Sequence, residues 1–496
     1  MAIVLGVDLS TQSTTVEVRD ADDATLLGVG SAPHPRTHPP VSEHVTGDWW
    51  GTFTLALNAG LEQARADRQD VVAVGVAAQC HGLVLLDERG RLLRPVKLWN
   101  DTTSAPQAAR MVTDASAAWW SDAVGSVPSA AFTISKLAWV ADHEAELLER
   151  AAAVLLPHDW MTFHLTGQRV TDRSDASGTG YYAAHEQRWR TDVLERWVGT
   201  QVDWHDVLPT VLGPDEAAGR IRPVIADELG LPSTVMVSAG GGDQHLGAVG
   251  LGLQSGDVAY SLGTSGVVMA VSERPVFDHG GVVDGVANAI GGYLPLACTL
   301  NATKVTDWTA EMLGVGVDEL GQMALTAAGQ SRPSFAVYLD GERTPSRPTA
   351  TGTLTGLTTA TTREDIARAA FEGVVLGLVG AHHAIAACGV DVGGHVYLTG
   401  GGAQSAAYRQ ILAEVLGRPV LVRDVNEATA RGAALQAKAV LDGSSLKELS
   451  RELRPPLLHR VRPDHRIEPQ VIDRYQITAD WRGADRSTTV IEEREL

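Results

Sequence analysis

Two short stretches half a chain apart carry the same plan. Residues 2–7 form an apolar run of strand length, residues 8–14 a hydroxyl-rich turn, and residues 15–19 alternate again with Val16 and Val18 on one side. Residues 258–262 lead in the same way into Gly263-Thr-Ser-Gly266, and residues 267–271 follow as a second apolar strand. Aligning Asp8-Leu-Ser-Thr11 with Ser261-Leu-Gly-Thr264 gives an offset of 253 residues in a chain of 496. That offset predicts two domains built on one scheme and makes a single large core a poor expectation.

Between and after these units, short apolar strands alternate with amphipathic helices, the pattern of an α/β protein. Residues 71–78 read as a buried strand ending in Gln79-Cys-His-Gly82, and residues 235–239 as another ending in Gly240-Gly-Gly-Asp243. Residues 366–388, rich in Ala and Gly, predict a long buried helix with Gly389 at its end. A strand at 395–399, a turn at 400–405 and helices at 406–416 and 426–441 follow. The expected division is 1–242, 243–443 and a tail at 444–496 that packs back on a domain.

Composition narrows the function. A net charge of −20 repels phosphate backbones and anionic headgroups, so neither a nucleic-acid partner nor a membrane is expected. No apolar run approaches the ~20 residues of a membrane helix. Three scattered cysteines, Cys80, Cys298 and Cys388, offer neither a disulfide framework nor a CxxC zinc site. With Asp8 breaking the first apolar run before a signal segment forms, the expectation is a cytoplasmic protein.

Loops of Gly, Ser and Thr at strand ends let backbone N–H groups converge on an anion. Three occur, at 8–14, 262–266 and 400–405, and together they favour a bound nucleotide. The common ATP motifs are absent: there is no Gly-Lys-Ser/Thr, no protein-kinase set, and Gly240-Gly-Gly does not fit GxGxxG. Asp243, after a buried strand and three glycines, is placed to accept the proton of an attacking hydroxyl in phosphoryl transfer, or simply to cap the next helix. Asp8 at a strand end suits a role on the waters around Mg²⁺, or a turn aspartate bonded to its own backbone. His81 in a strand-end loop suits a sugar hydroxyl, and Trp99-Asn-Asp101 offers an aromatic face beside two polar side chains.

Asp8-Leu-Ser-Thr-Gln-Ser-Thr14, Gln79-Cys-His-Gly82, Leu98-Trp-Asn-Asp101, Gly240-Gly-Gly-Asp243, Ser261-Leu-Gly-Thr-Ser-Gly266, Gly341-Glu-Arg-Thr-Pro345 and Gly400-Gly-Gly-Ala403 occur in this order. Together they resemble the FGGY carbohydrate kinases, and within them the branch that phosphorylates D-xylulose. The resemblance implies a two-domain actin-like (hexokinase-like, ribonuclease H-like) ATPase fold with an inter-domain cleft, ATP and Mg²⁺ as cofactors, and D-xylulose 5-phosphate as product. By position, Asp243 and Asp8 are the catalytic carboxylates, both reaching Mg²⁺ through water. Cys80, His81, Trp99, Asn100, Asp101 and Gln244 fall on the sugar side. Thr11, Gln12, Ser13 and Thr14, with Gly263, Thr264 and Ser265, form the phosphate loops, and Gly401, Gly402 and Ala403 the adenine-side turn.

Ser10, Thr15, Thr103 and Gln244 depart from the family's usual Gly, Lys, Arg and Asn. Gln244 keeps glycerol open as a substrate beside L-ribulose. A non-catalytic actin-like nucleotide switch is the reading from a different class. A homodimer is the default assembly for such an enzyme.

Overall fold

A computed structural model describes residues 1–327, 332–483 and 485; the end of the expected tail, 486–496, lies outside the described residues. The chain divides into two compact units, 1–254 with 271–294 and 425–455, and 255–270 with 295–424 and the described part of 456–496.

The first unit is built on a mixed sheet. Strand β1 (Ile3–Leu9) pairs antiparallel with β2 (Ser13–Asp20), which pairs antiparallel with β3 (Leu26–Pro33). On its other side β1 runs parallel to β4 (Val71–Ala78), followed by β5 (Ala217–Arg220) and β6 (Met236–Ser238) at the far edge in the order β3-β2-β1-β4-β6-β5. Side-chain alternation sorts β1 between two faces. Ile3, Leu5, Val7 and Leu9 join Phe53 and Leu57 of helix α1 (Thr46–Ala64), and Met161 of helix α2 (Pro157–Thr166), in the largest core of the unit. Val4, Gly6 and Asp8 occupy the other face.

The second unit repeats the scheme. Strands β7 (Val258–Leu262), β8 (Gly266–Ala270) and β9 (Leu296–Thr299) are antiparallel neighbours, and β7 runs parallel to β10 (Val396–Thr399), itself parallel to β11 (Val420–Arg423). Antiparallel, antiparallel, parallel, parallel: the pairing around β7 copies the pairing around β1. The register of the repeat is also kept. Leu9 and Leu262 end their strands and Ser13 and Gly266 begin the next, each pair 253 residues apart. Asp8, expected in the turn, is therefore the penultimate residue of β1, and the turn shortens to residues 10–12. This is the ribonuclease H-like core of the actin-like fold, present twice.

Helix α3 (Arg363–Ala387) is the one described helix long and apolar enough to cross a membrane, and most of it is buried within the second unit. Its start is set by a capping box in which Thr362 Oγ1 accepts from the Asp365 N–H (3.2 Å) and Asp365 accepts from the Thr362 N–H (3.0 Å). After 456 the chain adds strand β12 (Leu457–Val461), antiparallel to β11, and a helix at Pro469–Asp480 whose Thr478 meets Thr355 at 2.7 Å.

Between those stretches the chain revisits the first unit as helix α4 (Ala428–Asp442). This helix covers the Val4–Gly6–Asp8 face at close range: a Cβ on Gly6 would lie 1.9 Å from the Ala430 carbonyl oxygen, and one on Gly75 of β4 2.0 Å from that of Ala433. Only glycine at these two positions permits the approach, and the helix answers with Ala430, Ala433, Ala434 and Ala437.

Candidate functional site

Asp243 opens helix α5 (Asp243–Leu251), reached from β6 through Gly240, Gly241 and Gly242. Its Oδ1 accepts from the Gln244 N–H at 2.7 Å and from the thiol of Cys80 at 3.5 Å. The carboxylate thus ties itself to its own helix, as a capping aspartate does, while remaining only half-buried. Burial is the leading influence on it and lifts its pKa above the ordinary value, against the lowering effect of the Gln244 and Cys80 donors. Burial also pushes the Cys80 thiol well up, so it stays protonated and remains a donor.

The three glycines are packed against side chains on every side. Gly240 has φ 84°, and a Cβ there would lie 2.7 Å from Nδ1 of His158; one on Gly242 would lie 2.5 Å from Sγ of Cys80. Gly241 and Gly242 pair with Ala77 and Ala78 at the end of β4. The loop is a fitted part of the sheet edge, not a slack connection.

Asp8 ends its face of β1 with Oδ1 out of solvent and without a hydrogen-bond partner. Desolvation raises its pKa well above the ordinary value, reinforced by the negative charges of Asp243, Glu427 and Glu17. Every influence on this carboxylate favours its neutral form.

The residues expected on the sugar side lie in the same unit. His81 sits at φ 67°, its ring stacked on Phe132 at 5.0 Å, with Nδ1 2.7 Å from the Gly178 carbonyl oxygen. A carbonyl only accepts, so Nδ1 carries the proton and Nε2 is the acceptor of the neutral ring. Trp99 Nε1 donates to Thr11 Oγ1 at 2.8 Å, and Thr11 Oγ1 lies 3.4 Å from Oε1 of Gln79, which joins the turn at 10–12 to the Trp-Asn-Asp segment. Asn100 and Gln244 are half-buried.

Two expected residues are placed otherwise. Thr14 shares the parity of Val16 and Val18 in β2, so its fully buried hydroxyl meets Thr52 (2.9 Å) and His34 (3.2 Å) on the face opposite Asp8. Asp101 is fully buried: it accepts from the Ser42 N–H (2.9 Å), Lys97 Nζ (3.3 Å) and Thr103, and so shapes the segment from inside. Thr11, Gln12 and Ser13 remain at the turn, Gln12 exposed.

In the second unit two loops meet. Thr303 donates to the Gly263 carbonyl oxygen from both N (3.0 Å) and Oγ1 (2.9 Å), holding the Gly263–Thr264–Ser265 turn by its inner side. The Gly400–Gly402 turn lies against the same place, with a Cβ on Gly402 falling 2.6 Å from that of Leu262. Arg409 Nη1 donates to the carbonyls of Ala403 (2.6 Å) and Gln404 (2.8 Å), fixing the turn that holds Gly401 and Ala403.

Sequence reasoning passed over a buried charge cluster behind the glycine loop. Nε2 of His158 lies 3.1 Å from Asp159, 3.5 Å from Asp172 and 3.6 Å from Asp175, all essentially inaccessible. Burial lifts Asp159 to about 6 and Asp175 well above the carboxylate range, the latter reinforced by Asp159, Asp172 and Asp243. Both Asp175 oxygens lack a hydrogen-bond partner. In the sequence, Asp159 and Asp172 look like helix-start aspartates, which they also are: each accepts a backbone N–H there. Glu427 and Gln436 were equally silent, since a helix that begins 185 residues after Asp243 carries no local sign of contact with it.

Comparison with known proteins identifies the family. Residues 3–250 match the N-terminal domain of the FGGY family of carbohydrate kinases, and residues 258–440 its C-terminal domain. The chain is 40% identical over 452 residues to a xylulose kinase of Streptomyces coelicolor, covering 90% of each. It is 34% identical over 468 residues to a xylulose kinase of Escherichia coli, covering 93% of this chain and 94% of that one. The crystal structure of a xylulose kinase from Bifidobacterium adolescentis superposes with a TM-score of 0.83 at 37% identity, over 96% of this chain and 99% of the other. The chain belongs to the FGGY family of carbohydrate kinases and is an ATP-dependent sugar kinase.

Proposed function

We propose that this kinase transfers the γ-phosphate of ATP to the terminal hydroxyl of D-xylulose, giving D-xylulose 5-phosphate. The likeness to xylulose kinases supports the substrate, and the placement of Asp243 carries the mechanism: a half-buried carboxylate held by Gln244 and Cys80 beside the His81 and Trp99 segments. The hydroxyl donates a hydrogen bond to Asp243 while its oxygen attacks phosphorus, and the proton passes to the carboxylate as the P–O bond forms and the hydroxyl acidifies. A pKa raised by burial brings Asp243 nearer the working pH of a base, a change that favours the transfer. His81 Nε2 accepts from a sugar hydroxyl. The turn at 10–12 in the first unit, and those at 263–265 and 401–403 in the second, each offer backbone N–H groups suited to phosphate.

Mg²⁺ fits the residues present. Mg²⁺ keeps most of its waters and needs few protein carboxylates. Asp8, with its orphaned oxygen and uncompensated charge, would hold it through those waters, with Asp243 nearby. Bound Mg²⁺ supplies neutralisation of phosphate charge.

The test is Asp243→Asn in a coupled ADP-release assay over D-xylulose, L-ribulose and glycerol, with ATP binding measured by calorimetry. We expect D-xylulose to give the highest kcat/KM in the wild type, and the variant to lose at least ~10²-fold in kcat with ATP affinity retained. Unchanged turnover in the variant removes Asp243 from the chemistry, and a preference for L-ribulose or glycerol replaces the substrate.

A further inference from the structure

Gln436 lies in the middle of α4, wholly buried among alanines, and its amide oxygen and amide nitrogen both bond to the end of β6 and the loop that follows it. Oε1 accepts from Ser238 Oγ at 2.8 Å and from the Gly240 N–H at 2.9 Å; Nε2 donates to the Gly240 carbonyl oxygen at 3.0 Å. A buried side-chain amide costs folding free energy unless it is fully bonded, and a leucine would fill the same space without that demand. The demand is met here at the one residue of the loop whose φ of 84° sets the direction of Gly241, Gly242 and Asp243.

Two further contacts from the same helix reach the same element. Thr429 Oγ1 donates to the Asp243 carbonyl oxygen at 3.2 Å, and Gly432 packs so closely on α5 that a Cβ there would lie 1.9 Å from the Leu246 carbonyl oxygen. Positions 429, 432 and 436 follow the i, i+3, i+7 spacing of one helix face. That face grips the start, the body and the approach of α5. On the other side of Gly240 stands the ring of His158, so the loop is closed in from both directions.

We infer that Gln436 is a positioning residue for phosphoryl transfer, holding Gly240 so that Asp243 meets the acceptor hydroxyl in reactive register. The inference rests on the reading of Asp243 as the base. A misplacement of ~1 Å costs about 10²-fold in rate without weakening remote binding, so the effect belongs in kcat and not in the KM for ATP.

Three variants of the full chain decide it. Gln436→Leu keeps the volume and leaves the Gly240 amide and carbonyl unpaired; we expect kcat to fall about 10- to 100-fold, with the KM for ATP within about threefold of wild type. Gln436→Glu keeps the acceptor for Ser238 and the Gly240 N–H, but only its protonated carboxyl can donate to the Gly240 oxygen. The ratio of its kcat to that of wild type should therefore rise as pH falls from 8 to 6, a ratio in which native groups such as His158 and Asp243 cancel. Asp243→Asn is the reference. If both Gln436 variants stay within twofold of wild-type kcat at every pH while Asp243→Asn is inactive, Gln436 only packs the helix and the inference is wrong. A raised KM for ATP at unchanged kcat overturns it as well. An active Asp243→Asn instead defeats the reading of the base. Should Gln436→Leu fail to fold, the pH dependence of the Gln436→Glu ratio decides alone.

Discussion

The thiol of Cys80 donates to Oδ1 of Asp243 across 3.5 Å, linking the end of β4 to the start of α5. Because that donor lowers the pKa of Asp243 while burial raises it, the thiol contributes, after burial and the Gln244 N–H, to where the proposed base becomes ionised. Removing it in Cys80→Ala should move the acid limb of the kcat profile to higher pH, since the proposed base must be deprotonated and its ionised form loses a donor. Cys80→Ser, which keeps a donor, should leave the limb near its wild-type position. Superimposable profiles for wild type and Cys80→Ala would show that the contact does not tune the base.

The turns at 10–12, 263–265 and 401–403 contain no lysine or arginine, and Asp8 has no cationic neighbour among the influences on it. ATP affinity should accordingly depend on Mg²⁺, falling at least ~10-fold when the ion is chelated, as expected where a divalent cation is the main local positive charge. Calorimetric titration with and without EDTA measures this. Asp8→Asn should shrink the difference, and equal affinities for the wild type under both conditions contradict the account.

Asp175 is fully buried with both oxygens unbonded, and its pKa is raised well above the carboxylate range, chiefly by burial. A carboxyl whose folded pKa exceeds its unfolded value opposes folding at high pH, and the penalty fades as pH falls through the folded value toward the unfolded one near ~3.9. Asp175→Asn should thus raise Tm at pH 8 by a few degrees, on the order of 2–4 °C, and by nothing near pH 4. Thermal melts at the two pH values read the difference; a variant less stable at pH 8 shows that the His158 contact outweighs burial.

Two glycine substitutions should act in opposite directions. Gly51 is exposed in the interior of α1 with nothing within 4 Å of an added Cβ, so Gly51→Ala should stabilise by about 1 kcal/mol through helix propensity. At Gly250 in α5 the same methyl would lie 1.8 Å from the Ala428 carbonyl oxygen, and Gly250→Ala should cost at least ~3 kcal/mol by forcing α5 and α4 apart. Chemical denaturation of both variants checks the signs.

The repeated strand-turn-strand and its 253-residue offset were legible in the sequence, though not the strand ends, because a period of two and a glycine-hydroxyl turn are local properties. The strand-end positions of Asp243, Asp8, His81 and the glycine-hydroxyl turns were legible for the same reason. Thr14 was drawn into the site by its hydroxyl, although its parity with Val16 and Val18 already pointed it inward. Asp101 presented a carboxylate whose partners, Ser42 and Lys97, no motif announces. The contacts of Gln436 and of the His158 cluster join segments far apart in the chain, and a single sequence carries no signal for such pairings.

The return of the chain as α4 has a consequence for biosynthesis. β1 and β4 leave the ribosome early, yet the helix that fits Gly6 and Gly75 begins at Ala428, and the first unit is complete only at residue 455. At about 5–20 residues per second, the ~200 residues made after Gln254 take roughly 10–40 s. For that interval one face of the nascent sheet, glycine-lined and shaped for a helix not yet made, stands open to chaperones and to other nascent chains. A fragment ending at Gln254 would keep that face open permanently.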